Sequence, residues 1–246
     1  MSFRLLICLV AFGLAAAPLA GAAEPVTPAQ KSAIEQIIHD YILQHPELVI
    51  QALQSAEDKA KAEAEERIRA TLVEKRQELV ADPTSPIAGN PKGDVTIVEF
   101  FDYRCPYCKQ VEPSLEALLR EDQQLRIIYK ELPILGKDSV YATRVALAAR
   151  KQGKYEAFHA AMMAAKGQID EKIVLQVAAS AGLDIERVKA DMKSPEIDDI
   201  IQRNLDLAQA LEIRGTPAFI IGGEMVPGAI DIATMKKKIA AARKAG

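Results

Sequence analysis

Val95-Thr96-Ile97-Val98-Glu99-Phe100-Phe101-Asp102-Tyr103-Arg104-Cys105-Pro106-Tyr107-Cys108-Lys109-Gln110 is the stretch on which the reading of this chain turns. Val95 to Phe101 is a short, mostly apolar run rich in β-branched and aromatic residues, the pattern of a buried strand. From Pro106 to about Arg120 the pattern becomes helical, with proline at the first position, where its missing N–H costs nothing. Pro113 lies inside that helix and predicts a kink. The two cysteines therefore stand at a strand-to-helix turn. Two thiols separated by two residues can close a small disulfide ring and open it again. At a helix N-terminus the first thiol faces unpaired N–H groups that favour the thiolate, the form that attacks other disulfides. Cys105 is the expected exposed nucleophile. Cys108, one turn further in, is expected to be less exposed and to resolve the mixed disulfide by attacking the Cys105 sulfur. Tyr107, between them, is placed to tune their potential and shape the substrate surface.

Leu125 to Leu132 reads as a second strand, so the cysteine pair sits inside a βαβ unit. A long helical region follows from about Lys137 to Ile213, punctuated by Gly153, Gly167, Gly182 and Pro195. Strand signals return at Ala218 to Ile221 and Glu224 to Val226, joined by Gly222-Gly223 as a hairpin turn. A last helix is expected from about Ile232 to Lys244.

Upstream lies a helical arm. Thr27-Pro28-Ala29-Gln30 reads as N-cap, first-turn proline and capping-box glutamine. Ile34, Ile37, Ile38, Tyr41 and Ile42 then recur at helical spacing and form one apolar stripe. His45-Pro46 ends this helix and starts another, which is expected to run to about Val80, about 50 Å at ~1.5 Å per residue. Its middle, Glu57 to Arg69, is polar nearly all round, so it is expected in solvent. The stripe from Ile34 to Leu53 needs a cover, either the chain's own core or other copies of the chain; self-association into a homo-oligomer is favoured. The Pro/Gly-rich residues 82–93 read as a linker between the arm, 24–81, and a domain over 94–246.

Residues 1–23 read as an export leader. Arg4 supplies the positive start, Leu5 to Ala17 an apolar run, and Ala20-Gly21-Ala22-Ala23 the small residues for cleavage after Ala22 or Ala23. The run falls short of the ~20 residues a membrane span needs. Cys8 lies inside the leader, which leaves Cys105 and Cys108 as the cysteines of the mature protein. Loss of Arg4 takes the formal charge from −3 to −4, a mild acidity that does not suggest a nucleic-acid partner. A single CxxC pair closes too small a ring to act as scaffolding, so its use is redox or metal chemistry. No second CxxC or nearby histidine pair completes a zinc site. Redox chemistry without metal or cofactor is the favoured reading, and capture of Cu(I) by the two soft thiolates is the alternative. His39, His45 and His159 are scattered and read as surface or interface residues; Met162-Met163 reads as core and Lys236-Lys237-Lys238 as a solvated face.

A βαβ unit carrying CxxC resembles the thioredoxin fold. Phe101 to Lys109, the long helical insertion, and then Gly215-Thr216-Pro217-Ala218-Phe219 resemble the DsbA-like branch of it. The helical arm before the domain is most similar to the ScsC group. The resemblance implies an α/β thioredoxin-like fold with a helical insertion over about 137–213. It implies a periplasmic thiol-disulfide oxidoreductase, more specifically a disulfide isomerase, linked to copper tolerance and assembled, as a trimer by preference, through the arm. The implied partners are exported cysteine-containing proteins and a membrane redox partner. The alternative is a monomeric dithiol oxidase. The resemblance also implies that Pro217 is a cis proline packed beside CxxC, with the Thr216 backbone free to pair with an extended substrate; Pro106 and Tyr107 complete the substrate surface. Glu99 stands where the family carries a buried acid that accepts or delivers the resolving thiol's proton. A carboxylate in an apolar strand is costly to bury without a task, although strand alternation also permits Glu99 to face solvent.

Overall fold

The computed structural model describes residues 26–245, so the stretch read as an export leader, with Cys8, lies outside the described residues. The chain forms two units, one ending at Ala60 and one from Lys61 onward. In the first, α1 (Pro28–Gln44) is opened by the expected capping box: Thr27 Oγ1 accepts from Gln30 N at 3.3 Å, and Gln30 Oε1 accepts from Thr27 N at 2.9 Å. His45 ends α1, and α2 (Pro46–Glu74) starts at the next residue. No residue of α1 is buried, and Ile34, Ile37, Ile38, Tyr41, Ile42, Leu48, Val49 and Leu53 all stand exposed.

The helix expected to run unbroken to Val80 breaks at Lys75 (φ −87°, ψ 10°), and α3 (Arg76–Val80) follows. The break falls between the buried Leu72 and Leu79, where the chain stops being solvated on all sides and packs on the sheet. Neither proline nor glycine marks it in the sequence.

The second unit is built on a five-stranded sheet. β1 (Ile87–Gly89), β2 (Val95–Phe101), β3 (Leu125–Glu131), β4 (Ala218–Ile221) and β5 (Glu224–Pro227) lie in the order β1-β3-β2-β4-β5. β2 and β3 run parallel and the other neighbours antiparallel. The pairing of β2 with β3 needs a crossover, supplied by α4 (Pro106–Glu121), a single helix through Pro113. The insertion contains α5 (Lys137–Lys151), α6 (Tyr155–Ala164), α7 (Glu171–Ser180), α8 (Ile185–Asp191) and α9 (Pro195–Ala210). α10 (Ile232–Ala245) closes the chain. Gly222 and Gly223 both take positive φ, 59° and 83°, as a tight two-residue hairpin requires.

β1 lies inside the stretch read as a linker. Asp82 Oδ1 accepts from Thr84 N (2.8 Å) and its hydroxyl (2.7 Å), a local turn that leads the chain back to the sheet. β1 then pairs with β3, and Ala88 faces the core. Gly89 has φ +78°, and a Cβ there would lie 2.5 Å from Leu125 O, so only glycine fits that close approach.

Side chains of β2 alternate between two cores. Ile97 and Phe101 pack with Val111, Leu115 and Leu118 of α4, with α10 and with the insertion helices. Val98 and Phe100 pack on the opposite face with Leu72, Leu79 and Leu207. Since β2 is central and covered on both faces, Glu99 cannot reach solvent: two-residue alternation puts it on the α4 face, and it is 0% exposed.

Candidate active site

Cys105 is the N-cap residue of α4, in extended conformation (φ −74°, ψ 118°), so its sulfur faces the first, unpaired N–H groups of the helix. The turn before it is tightly built. Cys105 N donates to Asp102 O at 3.0 Å. The Asp102 carboxylate accepts from Arg104 N at 2.8 Å and from Leu135 N at 3.1 Å. Arg104 donates to Leu135 O at 2.7 Å, binding the turn to the loop after β3.

The pairing of β4 with β2 carries Thr216-Pro217 to the same place. The Thr216–Pro217 peptide bond is cis, and the Cys105 thiol donates to Thr216 O at 3.1 Å. Tyr107 is 60% exposed and Pro106 is also exposed. Cys105 itself is not the exposed thiol expected: it is 4% exposed, because the helix start and the Thr216 carbonyl enclose it, and Cys108 is fully buried. Both cysteines are free thiols.

The hydrogen bond with Cys108 brings the Cys105 thiol from the usual 9.0 down to about 5; burial opposes this, and Thr216 and the backbone of Cys108 and Tyr107 assist. The same bond, with burial and the charge of Glu99, pushes Cys108 far up. Of the two thiols Cys105 is therefore the readier to ionise. Burial, then the charges of Glu112 and Cys105, raise Glu99 well above the ordinary carboxyl range, and neither of its oxygens has a hydrogen-bond partner.

Residues 96–240 match the family described as DSBA-like thioredoxin domain. The chain belongs to that family. Residues 30–63 match a second family, the copper resistance protein ScsC N-terminal domain. A thioredoxin-like oxidoreductase from Silicibacter pomeroyi DSS-3 is 46% identical, with a TM-score of 0.68, over 70% of this chain and 99% of that one. Proteus mirabilis ScsC in a transitional conformation is 27% identical, with a TM-score of 0.67, over 89% of this chain and 100% of that one. The thiol:disulfide interchange protein DsbA of Bordetella parapertussis is 31% identical over 144 residues, covering 56% of this chain and 68% of that protein. Some curated relatives are far longer: the chain spans 24% of the length of a Na(+)/H(+) antiporter NhaA from Salinispora tropica, to which it is 27% identical over 158 residues.

The DSBA-like domain holds functional-looking residues that sequence reading missed. Lys109 bends back to donate to the carbonyls of Met162, Met163 and Ala165 at the end of α6, so it ties the cysteine-bearing helix to the insertion. Beside it a cleft of about 730 Å³ opens between α4 and residues 163–169, lined among others by Arg104, Pro106, Lys109 and Lys166. His159, read as a surface or interface residue, is buried on α6 against Tyr103 and Glu112. No periodicity announces it, since only the packing of α6 on α4 brings those residues together. Met162 and Met163 are core, and His39 and His45 lie on the arm, away from this constellation in sequence and in unit. Among the described residues no cluster of three metal-ligating side chains occurs, and no helix is long and apolar enough to cross a membrane.

Proposed function

We propose that this protein is an exported thiol-disulfide oxidoreductase that reshuffles disulfides of other exported proteins, with Cys105 as nucleophile. The observation that carries the reading is a thiol drawn to about 5 at a helix N-terminus, beside the carbonyl that precedes a cis proline. At neutral pH Cys105 is a thiolate. It attacks one sulfur of a substrate disulfide; the substrate S–S bond breaks, a substrate thiolate leaves, and a mixed disulfide forms. Two exits follow. If another substrate thiolate attacks the mixed disulfide, a rearranged substrate leaves, Cys105 returns as thiolate and no net electrons move. If Cys108 attacks instead, its proton passes to Glu99 in carboxylate form, the Cys105–Cys108 disulfide closes and the substrate leaves reduced. The extended segment at Thr216, together with Pro106 and Tyr107, receives the substrate chain.

Isomerisation is favoured over plain oxidation by the arm. An uncovered stripe of isoleucines on α1 and the start of α2 suits burial against further copies of the chain, a trimer by preference, and several sites facing one scrambled substrate can hold it through repeated exchanges. The leader supports a periplasmic setting, with a membrane redox partner that resets the cysteine pair. The match to a copper resistance N-terminal domain favours a second reading, capture of Cu(I) by the two thiolates. Reactivation of scrambled ribonuclease by the reduced full-length protein separates them. Isomerase action predicts recovery that is lost in Cys105→Ser. Tight Cu(I) binding without recovery would sink it in favour of the metal reading.

A further inference from the structure

The cleft beside the cysteine-bearing helix carries a charge that the exchange steps above do not use. It runs along one face of the start of α4, where Pro106, Lys109 and Gln110 stand at positions i, i+3 and i+4. Met163, Ala165 and Ile169 line it with apolar surface from the end of α6 and the segment that follows. Its volume of about 730 Å³ is that of a site for a ligand larger than a single ion. Pro106 lines the cleft and directly follows Cys105, so a chain that reaches Cys105 can continue into it.

Every ionisable side chain that lines the cleft is basic: Arg104, Lys109 and Lys166. The half-buried Lys109 ammonium donates to the carbonyls of Met162, Met163 (3.3 Å) and Ala165 (3.0 Å). Those carbonyls carry no net charge, and among the described residues no carboxylate lies within ion-pair distance of it. Lys166 is exposed and has no partner among the described residues. Arg104 alone is offset in part, by Asp138 at 3.9 Å, an acid outside the lining. Asp170, just past the cleft, is committed to the start of α7, where it accepts from Ile173 N at 2.9 Å. Cations confined without a counter-charge draw an anion to them, and the amides of Gln110 and Gln168 can donate to a carboxylate. The rest of the molecule works the other way. The chain has a formal charge of −3 and the attacking form of Cys105 is an anion, so without the cleft an acidic substrate would be repelled.

We propose that this cleft is a substrate subsite for acidic segments: it receives Asp or Glu side chains that stand within a few residues of the cysteine attacked by Cys105. The inference rests on the reading of Cys105 as the nucleophile of disulfide exchange and adds the class of polypeptide that reacts fastest. Gln110 stands five residues after Cys105, about 7.5 Å along the helix axis at ~1.5 Å per residue. An extended substrate covers that distance with about two residues at ~3.3 Å each. Its carboxylates then face Lys109 and Lys166, and the apolar lining takes the aliphatic parts of its side chains. Attraction between opposite charges speeds encounter, so the effect falls on the rate of attack by Cys105 and weakens with salt.

Three peptides test this on the reduced full-length protein. Each is a self-quenched fluorescent homodisulfide with a single cysteine per strand, carrying Glu, Gln or Lys two residues to either side of it. The second-order rate of each with the protein is divided by its rate with dithiothreitol, which cancels the intrinsic reactivity of the peptide. At low salt the Glu peptide is expected to react about fivefold faster than the Gln peptide, and the Lys peptide slower than both. The differences are expected to vanish at about 1 M salt. Lys166→Glu is expected to abolish the preference for the Glu peptide, and so is Gln168→Glu, a second exposed position of the same segment. Lys237→Glu makes the same change of charge as Lys166→Glu on an exposed face of α10 outside the cleft, and is expected to keep the preference. A wild-type protein that does not favour the Glu peptide overturns the inference and leaves disulfide exchange in place. So does a preference that survives both cleft variants, or one lost equally in Lys237→Glu. Absence of reaction with all three peptides instead removes the exchange reading itself, and the subsite with it.

Discussion

A single residue, Cys105, carries most of the chemistry, and its ionisation is the sharpest expectation at this scale. Thiolate absorbance of the reduced protein is expected to rise with a midpoint near 5 and to be absent in Cys105→Ser. The same shift makes stability depend on pH. A thiol held below its usual 9.0 in the folded state stabilises that state fully above pH 9.0 and progressively less as pH falls to about 5. The disulfide form has no such thiol. The reduced form is therefore expected to lose stability relative to the oxidised form between pH 9 and pH 5, and not further below; urea unfolding of both forms across that range checks it. The cysteines, Pro106 and Tyr107 were legible because adjacency in sequence placed them. Glu99 was legible as the one charge in an apolar strand, but its face was not. The burial of Cys105 and of His159 was illegible, since both are enclosed by residues more than 50 positions away: Thr216 in one case, Tyr103 in the other.

Among the elements, helix starts and the hairpin followed from local rules, because a capping box, a first-turn proline and a Gly-Gly turn each satisfy backbone groups within a few residues. Residues 82–93 did not. Their prolines and glycines read as a linker, yet the segment is pinned. Buried Lys130 on β3 donates to Glu78 O at 2.7 Å and to Asp82 Oδ2 at 3.0 Å, and Ser85 Oγ donates to Asp82 Oδ2 at 3.0 Å. Burial works against the Asp82 charge, but Thr84 and Lys130 outweigh it and hold the carboxyl well below the ordinary range. Removing the ammonium leaves a carboxylate and a carbonyl without their partner in a confined place. Lys130→Met is expected to destabilise the second unit by about 3 kcal/mol, measured by denaturant unfolding, while the Cys105 absorbance titration stays in place. A loss below about 0.5 kcal/mol, the range of an ordinary surface change, would mean that the segment is not held by this pair.

For the whole molecule the open face is the arm. Ile34, Ile37, Ile38, Tyr41 and Ile42 leave a contiguous apolar strip exposed, and such strips persist in solution only when something covers them. The mass of the mature chain by light scattering is expected to be a multiple of the protomer, and that of the chain from Lys61 onward a single protomer with unimpaired exchange on a small disulfide. A monomer in both would remove the assembly and shift the reading to a dithiol oxidase. By itself the sequence determined which residues could form a redox pair, where helices and strands begin, and that the order βαβ, insertion, hairpin, helix makes a thioredoxin-like domain, because these depend on near neighbours and on periodicity. Only the tertiary structure decided that β1 completes the sheet, that Thr216 sits against Cys105, and that Glu112 and His159 are buried together. Those outcomes depend on pairing and packing between distant segments, and the energy of a buried charge is set by what surrounds it in space.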